Sequence, residues 1–108
     1  HFDLKSDPGG IVDIEFVVQY LVLAHAGEQA ELTIWSDVIR LLEALEQTGL
    51  ITADQADSLS QAYLDYRSAI HTLGLQGRAA ETDAAEFEAQ RQHVKRISEA
   101  LLPGLQAG

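Results

Sequence analysis

Apolar side chains recur every three or four residues in four segments of this chain, which is the spacing of one face of an α-helix. Each segment is followed by glycine, or by Pro-Gly near the end of the sequence, and these residues commonly follow helix C-termini. We therefore predict an all-α fold, an antiparallel four-helix bundle over residues 9–108. Residues 1–8 form a short extended lead-in. No strand is predicted after residue 8, and residues 77–81 are predicted as a loop.

Capping residues indicate where three of the helices begin. Ser36 is predicted as the N-cap of the second helix. Thr52 and Gln55 have the spacing of a capping box at the start of the third helix, and Asp83 and Glu86 repeat that signature before the fourth. These signals divide the predicted bundle into helices joined by short connections.

The first helix differs from the others because its apolar residues extend nearly all the way round it. In addition to a core stripe at helical spacing, it carries Phe16, Tyr20 and Leu23 on its other sides. A helix that is apolar all round is typically buried among its neighbours. We therefore expect this helix to lie at the centre of the bundle.

The charge and the cysteine content exclude several function classes. With 7 basic and 17 acidic side chains the net charge is −10, which disfavours nucleic acid and anionic membranes as partners. Without cysteine the chain has no disulfide framework, no thiolate metal site and no cysteine nucleophile. The longest apolar stretch, residues 16–26, contains polar interruptions and is shorter than the ~20 residues that span a bilayer. We expect neither a nucleic-acid nor a membrane partner.

The start of the sequence bears on whether the chain is processed or is part of a longer protein. It contains no methionine and opens with His1. Residues 1–30 lack the basic, apolar and small-residue order of a secretory signal. We therefore expect a processed chain, or part of a longer cytoplasmic protein.

The segment Asp7-Pro8-Gly9-Gly10 precedes the first helix and is a candidate ligand site. Backbone N–H groups at a helix start can hold a phosphate, but carboxylates crowd this start and would repel one. Asp7 is predicted to cap the helix, with Pro8 at its first position. Gly9 and Gly10 weaken that turn, so regular helix is expected to begin nearer Ile11. A capped turn that needs glycine conformations is the favoured interpretation.

Two further carboxylates, Asp13 and Glu15, follow in the first helix. Residues two apart on a helix point about 200° apart, so this pair can neither share a metal ion nor act as a catalytic dyad. We expect one of them to face solvent and the other to meet an arginine, either of this chain or of another domain. The four histidines have neither Glu-x-x-His nor His-x-x-x-His spacing, and no Gly-x-Ser-x-Gly elbow is present. No metal ligand and no catalytic residue is predicted.

Two other clusters complete the candidates. Trp35, Asp37 and Arg40 form a candidate interaction surface at the start of the second helix, although packing of Trp35 on that helix is the simpler explanation. The basic residues of the fourth helix are predicted to lie late in it, where the negative end of the helix dipole explains them. They are Arg91, His93, Lys95 and Arg96.

The segment from Phe2 to Phe16 resembles the junction between the nucleotidyltransferase core and the helical bundle of bacterial glutamine synthetase adenylyltransferases. The resemblance continues through Trp35-Ser36-Asp37 and Arg40 into the third helix. Members of this family have two related halves, one attaching AMP to glutamine synthetase and one removing it. The removing half usually reads Gly-Gly-Ile-Arg-Glu-Ile-Glu-Phe, whereas this chain reads Gly-Gly-Ile-Val-Asp-Ile-Glu-Phe. The resemblance therefore implies the C-terminal helical domain of the attaching half.

The resemblance also implies where the chemistry lies. The catalytic Gly-Ser and Asp-x-Asp elements lie outside this chain, residues 1–8 are the tail of the nucleotidyltransferase core, and the bundle is a non-catalytic brace. ATP and Mg²⁺ serve the parent enzyme, with no cofactor in the chain itself. The implied partners are its own nucleotidyltransferase core, glutamine synthetase and the PII signal protein. The residues expected at the core–bundle junction, or lining its cleft, are Lys5, Gly9, Gly10, Asp13 and Glu15.

Two other functions stay open on the residues alone. A stand-alone helical docking module would recognise a partner through a groove or through the aromatic edge near Trp35. A carboxylate-rich metal bundle would carry bound metal, but the lack of Glu-x-x-His spacing disfavours it. An autonomous enzyme is the least supported alternative.

Overall fold

The structure, a computed structural model, describes residues 1–25 and 37–102. These ranges contain four helices: α1 (Ile11–His25), α2 (Val38–Gln47), α3 (Ala53–Leu75) and α4 (Glu88–Leu101). Two short strands, β1 (Phe2–Asp3) and β2 (Glu81–Thr82), pair antiparallel. The predicted all-α fold, an antiparallel four-helix bundle with a short extended lead-in, is confirmed.

The helices share one apolar core. α1 packs against the other three helices, and α3 also packs against α2 and α4. In α2 the apolar residues Val38, Leu41, Leu42 and Leu45 follow helical spacing and all are buried. Burial of each such side chain stabilises the fold by about 1.5–3 kcal/mol. Among the described helices, none has the length and apolar content needed to cross a membrane.

The starts of α2 and α3 test two of the capping predictions. At α3, the Gln55 N–H donates to Thr52 Oγ1 and the Thr52 N–H donates to Gln55 Oε1, both at 3.0 Å. This capping box is confirmed. At α2 the cap is Asp37, whose carboxylate accepts hydrogen bonds from the backbone N–H groups two and three residues on. The predicted cap, Ser36, lies outside the described residues.

The start of α4 differs from the prediction. The Asp83–Glu86 capping box is wrong, because α4 begins two residues after Glu86 and the residue at its cap position, Phe87, makes no side-chain cap. Asp83 instead accepts a hydrogen bond from the backbone N–H of Ala85 at 2.9 Å, and Thr82 donates one to Glu86. These polar residues therefore stabilise the turn before the helix.

The lead-in joins the bundle through β1. Phe2 pairs with Thr82 and Asp3 with Glu81, and the side chains of Phe2 and Leu4 are fully buried. The prediction of no strand after residue 8 is wrong, because β2 begins at the end of the predicted loop. A two-residue strand is too short to leave an alternating pattern in the sequence. The assignment of residues 1–8 to a separate unit stays a prediction.

Three aromatic rings hold this lead-in against α3 and the start of α4. The ring centroids of Phe2 and Tyr66 are 5.7 Å apart, those of Phe2 and Phe87 6.5 Å, and those of Tyr66 and Phe87 5.4 Å, all edge to face. Tyr66 is fully buried, and its hydroxyl has no hydrogen-bond partner in the described part of the chain. Burial raises the pKa of Tyr66 to about 12, an effect that the nearby Arg91 partly opposes.

Replacing Tyr66 by Phe should change how stability depends on alkaline pH. The folded protein holds the tyrosine proton more tightly than the unfolded chain, whose pKa is near 10. The free energy of unfolding therefore falls as pH rises from 10 towards 12. We expect Tyr66→Phe to show a smaller fall than the original protein in urea unfolding at pH 9 and pH 11. Tyr63→Phe, a half-buried tyrosine of the same helix, is the control; equal falls in the two variants would contradict the assignment.

Candidate functional site

The four consecutive backbone N–H groups from Gly9 to Val12, which lead into α1, are all hydrogen-bonded within the protein. The Gly9 N–H donates to Asp13 Oδ2 at 2.7 Å, and the Gly10 N–H donates to the Asp7 carbonyl at 2.9 Å. The next two, of Ile11 and Val12, donate to carbonyl oxygens of the lead-in at 2.8 and 3.1 Å. A phosphate would have to displace these bonds. The geometry therefore favours a structural turn over an anion site.

The carboxylates around this turn act as acceptors for backbone groups. The helix begins at Ile11, so Asp7 as its N-cap and Pro8 as its first residue are wrong. Asp7 instead accepts a hydrogen bond from the Asp3 N–H at 2.9 Å. Asp3 accepts bonds from the backbone of Lys5 and then Ser6, and these lower the pKa of the Asp3 carboxyl. The lead-in is thereby folded into a tight loop ahead of α1.

Arg91 connects this turn to α4. Its Nε donates to the Pro8 carbonyl at 2.9 Å, and its guanidinium carbon lies 4.4 Å from the centroid of the Phe2 ring. A cation over an aromatic face at this distance is attractive. Arg91 is the fourth residue of α4, and none of the basic residues lies in its last turn. The explanation of this cluster by the negative end of the dipole is therefore wrong.

The two glycines of the turn lie where a side chain would collide with backbone. Gly9 has φ of 83°, and a Cβ there would approach the Arg91 carbonyl oxygen to 2.7 Å. A Cβ on Gly10 would lie 2.7 Å from the Leu4 carbonyl oxygen and 2.9 Å from that of Asp7. Glycine is thus required for the close approach of the lead-in, α1 and α4.

The predicted junction residues divide into two groups. Gly9, Gly10 and Asp13 are engaged inside the turn, with Asp13 contacting a backbone N–H rather than an arginine. Lys5 is exposed and Glu15 is half-buried. The first three therefore have a structural explanation, whereas no side-chain hydrogen bond within the described residues explains the last two.

The second candidate cluster lies at the start of α2. Asp37 caps that helix through backbone N–H groups at 2.8 and 3.4 Å, and the Arg40 guanidinium lies 3.7 Å from Glu43. Trp35 lies outside the described residues. The described residues of this cluster lie at the start of α2, whereas the glycine turn is formed by the lead-in, α1 and α4. Its use as an interaction surface stays a prediction.

The described carboxylates and histidines are spread over the structure. Within residues 1–25 and 37–102, no group of three or more His, Asp or Glu side chains converges on one point. Asp13 accepts the Gly9 N–H, and the N–H groups of Gly10, Ile11 and Val12 also have acceptors.

Comparison with known proteins connects this fold and turn to one family. The model of the GlnD PII-uridylyltransferase family matches residues 1–101, which is nearly the whole chain. The chain belongs to that family. The match includes the lead-in, the glycine turn and the four helices, so the family relationship covers the structure as one unit.

Individual relatives of this family member are bifunctional glutamine synthetase adenylyltransferase/adenylyl-removing enzymes. The chain is 50% identical to the one from Pseudomonas aeruginosa and 44% identical to that from Pasteurella multocida, in each case over 89% of this chain. It is 38% identical to the one from Mannheimia haemolytica over 94% of this chain. The chain spans about a tenth of the length of these relatives. The predicted resemblance to the adenylyltransferases is confirmed.

Arg91 is the site residue that sequence analysis missed. Its contacts lie at residues 2 and 8, and the hydrogen bond to Pro8 spans 83 positions of sequence. Nothing local distinguishes it from the other basic residues of α4. The aromatic residue Phe87, one turn earlier, is the only nearby signal, and it does not indicate which cation the aromatic cluster accepts.

Removing the carboxylate of Asp13 should destabilise the isolated chain. Asp13→Ala leaves the Gly9 N–H without its acceptor, so we expect a loss of about 1–2 kcal/mol in the free energy of unfolding by urea. Glu15→Ala, two residues on, should change it by less than about 0.5 kcal/mol. Equal losses in both variants would show that Asp13 does not hold the turn.

Adding a methyl group at Gly10 should be costly, whereas adding one at Gly74 should not. Gly10→Ala pushes a Cβ into two carbonyl oxygens, and we expect a loss of about 1–3 kcal/mol. Gly74→Ala lies inside α3 with nothing within 4 Å of its Cβ. It should stabilise the protein by about 0.5–1 kcal/mol. Thermal unfolding of both variants checks this, and a Gly10→Ala protein as stable as Gly74→Ala would contradict the close approach.

Proposed function

We propose that this chain is the helical domain of the adenylylating half of a bifunctional glutamine synthetase adenylyltransferase/adenylyl-removing enzyme. In that enzyme it braces the nucleotidyltransferase core and does not itself catalyse the transfer. This chain is 50% and 44% identical to two relatives with that name, in each case over 89% of its length. This identity supports the assignment of the parent enzyme. The Val-Asp pair in Gly-Gly-Ile-Val-Asp-Ile-Glu-Phe, where the removing half usually has Arg-Glu, supports the adenylylating half.

The observation that supports the bracing role is that the backbone N–H groups of the glycine turn are hydrogen-bonded within the protein. Consecutive N–H groups that form an anion site in other proteins are bonded here to Asp13, to Asp7 and to the lead-in. Such a turn is rigid, and it ties α1 to α4 through Arg91. A rigid joint is suited to holding a neighbouring unit in place, and the backbone N–H groups from Gly9 to Val12 already have acceptors within the protein.

In the proposed parent enzyme, the reaction takes place in the neighbouring nucleotidyltransferase core. A tyrosine hydroxyl of glutamine synthetase would attack the α-phosphorus of ATP and lose its proton while pyrophosphate leaves, and Mg²⁺ would supply shielding of the phosphate charge. Residues 1–8 are proposed to continue from that core, with Lys5 and Glu15 contacting it directly. Gly9, Gly10 and Asp13 act indirectly, by fixing the turn from which those two side chains project. Glutamine synthetase and the PII signal protein are the proposed partners of the parent enzyme, and the cytoplasm is its proposed location.

The test compares this chain with the longer protein that contains it. With radiolabelled ATP and purified glutamine synthetase, we expect label transfer by the longer protein and none by the isolated chain. Deleting residues 9–108 from the longer protein should lower the transfer rate at least tenfold and lower the melting temperature of the remaining core. Transfer by the isolated chain, or unchanged transfer after deletion, would contradict the proposal.

The same samples distinguish the proposed brace from the alternative function, a stand-alone docking module. A stand-alone module would bind glutamine synthetase or PII saturably as an isolated chain in a pull-down or by calorimetry, without the core. A brace would not bind either protein when separated from its core. Saturable binding by the isolated chain would therefore favour the docking module.

A further inference from the structure

α1 has a second apolar face that the other described helices leave uncovered. Its core-facing residues, which include Ile14 and Val18, are buried against α2, α3 and α4. On the other side lie four large apolar residues that remain 40–79% exposed. We call these four the outer stripe: Val12, Phe16, Tyr20 and Leu23.

The outer stripe is continuous along the helix. Steps of four, four and three residues place its members within an arc of about 80° on one side of α1. The other large exposed apolar residues, Leu64 and Leu75, lie about 16 Å apart along α3. Apolar residues exposed singly are normal on protein surfaces, whereas a row of four on one helix face indicates a contact surface.

We infer that the outer stripe packs against the nucleotidyltransferase core of the same polypeptide. This inference rests on the proposed function and adds to it the surface through which the bundle holds the core. A helix that is apolar on all sides is buried in the complete protein. The three described neighbours of α1 cover only part of it, and the relatives are about ten times longer than this chain.

The size of the stripe favours a partner on the same polypeptide over a separate one. A stable complex of independent proteins buries about 800 Å² on each partner, more than four half-exposed side chains can provide. Two covalently joined units need a smaller contact, because the connecting chain keeps them at a high effective concentration. A second copy of this chain is disfavoured further, because each copy carries a net charge of −10.

The outer stripe is also continuous with the proposed junction. Its first residue, Val12, donates its N–H to the carbonyl of Lys5 at 3.1 Å, so the exposed Lys5 side chain leaves the backbone beside it. Glu15 lies next to Phe16 in the sequence and is half-buried. The apolar stripe and the two charged residues thus form one surface, with polar groups at one end of an apolar centre, as in many interfaces.

Thiol labelling measures whether this surface is covered in the longer protein. The chain contains no cysteine, so Leu23→Cys introduces one reporter into this domain. Leu75→Cys is the matched control, because Leu75 is 77% exposed and Leu23 is 79% exposed. Phe16→Cys and Leu64→Cys, at 53% and 47% exposure, form a second pair. Labelling rates are measured by peptide mass spectrometry in the isolated chain and in the longer protein.

We expect positions 23 and 16 to react at least tenfold more slowly in the longer protein than in the isolated chain, and positions 75 and 64 to react equally in both. Equal rates at position 23 in the two proteins would overturn the inference. Slow labelling already present in the isolated chain would overturn it too, since its own residues, or at high concentration a second copy, would then cover the stripe. Protection of the longer protein only after adding glutamine synthetase would assign the stripe to that partner and also overturn it.

The AMP-transfer assay on the same longer protein separates this inference from the proposed function. Transfer together with equal labelling rates leaves the proposed function standing and overturns the docking surface. Protection of positions 23 and 16 without transfer supports docking within the polypeptide and overturns the proposed function. Leu75→Cys should transfer AMP at the original rate.

Discussion

The burial of Phe2 between Tyr66 and Phe87 is the contact on which one whole end of the bundle depends. It joins the lead-in to the middle of α3 and to the start of α4 through three edge-to-face ring contacts. Arg91 covers the Phe2 ring and holds the Pro8 carbonyl at the same time. With the lead-in held there, its carbonyl oxygens reach the first N–H groups of α1. The aromatic cluster therefore holds the lead-in in the position where the hydrogen bonds of the glycine turn are made.

The packing of the lead-in against α3 and α4 also determines which backbone groups of the glycine turn are available to a ligand. A glycine-rich helix start is a common phosphate site because its N–H groups point outward and are unpaired. Here the same groups are bonded to the lead-in and to Asp13, and the glycines are needed for the close approach of backbones. Similar sequence patterns can thus serve binding in one protein and mechanical connection in another. The difference lies in whether other backbone segments approach the turn.

Much of the fold was predictable because its signals act over a few residues. The Thr52–Gln55 capping box and the buried stripe of α2 each follow from residues within one or two turns of helix. The error at Asp83 and Glu86 has the same origin, because the local signature is satisfied equally by a turn preceding the helix. The strand β2 was not predicted, because two residues carry no pattern and its partner lies about 80 positions away.

For the candidate site, sequence alone determined that four helices form, that a glycine turn opens the first, and that α1 is apolar on every side. It also determined the family, because the Asp-Pro-Gly-Gly segment and its surroundings are specific. Only the tertiary structure decided that Arg91 meets Pro8, that Asp13 holds the Gly9 N–H, and that the outer stripe of α1 stays exposed. The physical reason is distance along the chain: periodicity and capping act between near neighbours, whereas the approach of α4 to the lead-in depends on how the entire core packs.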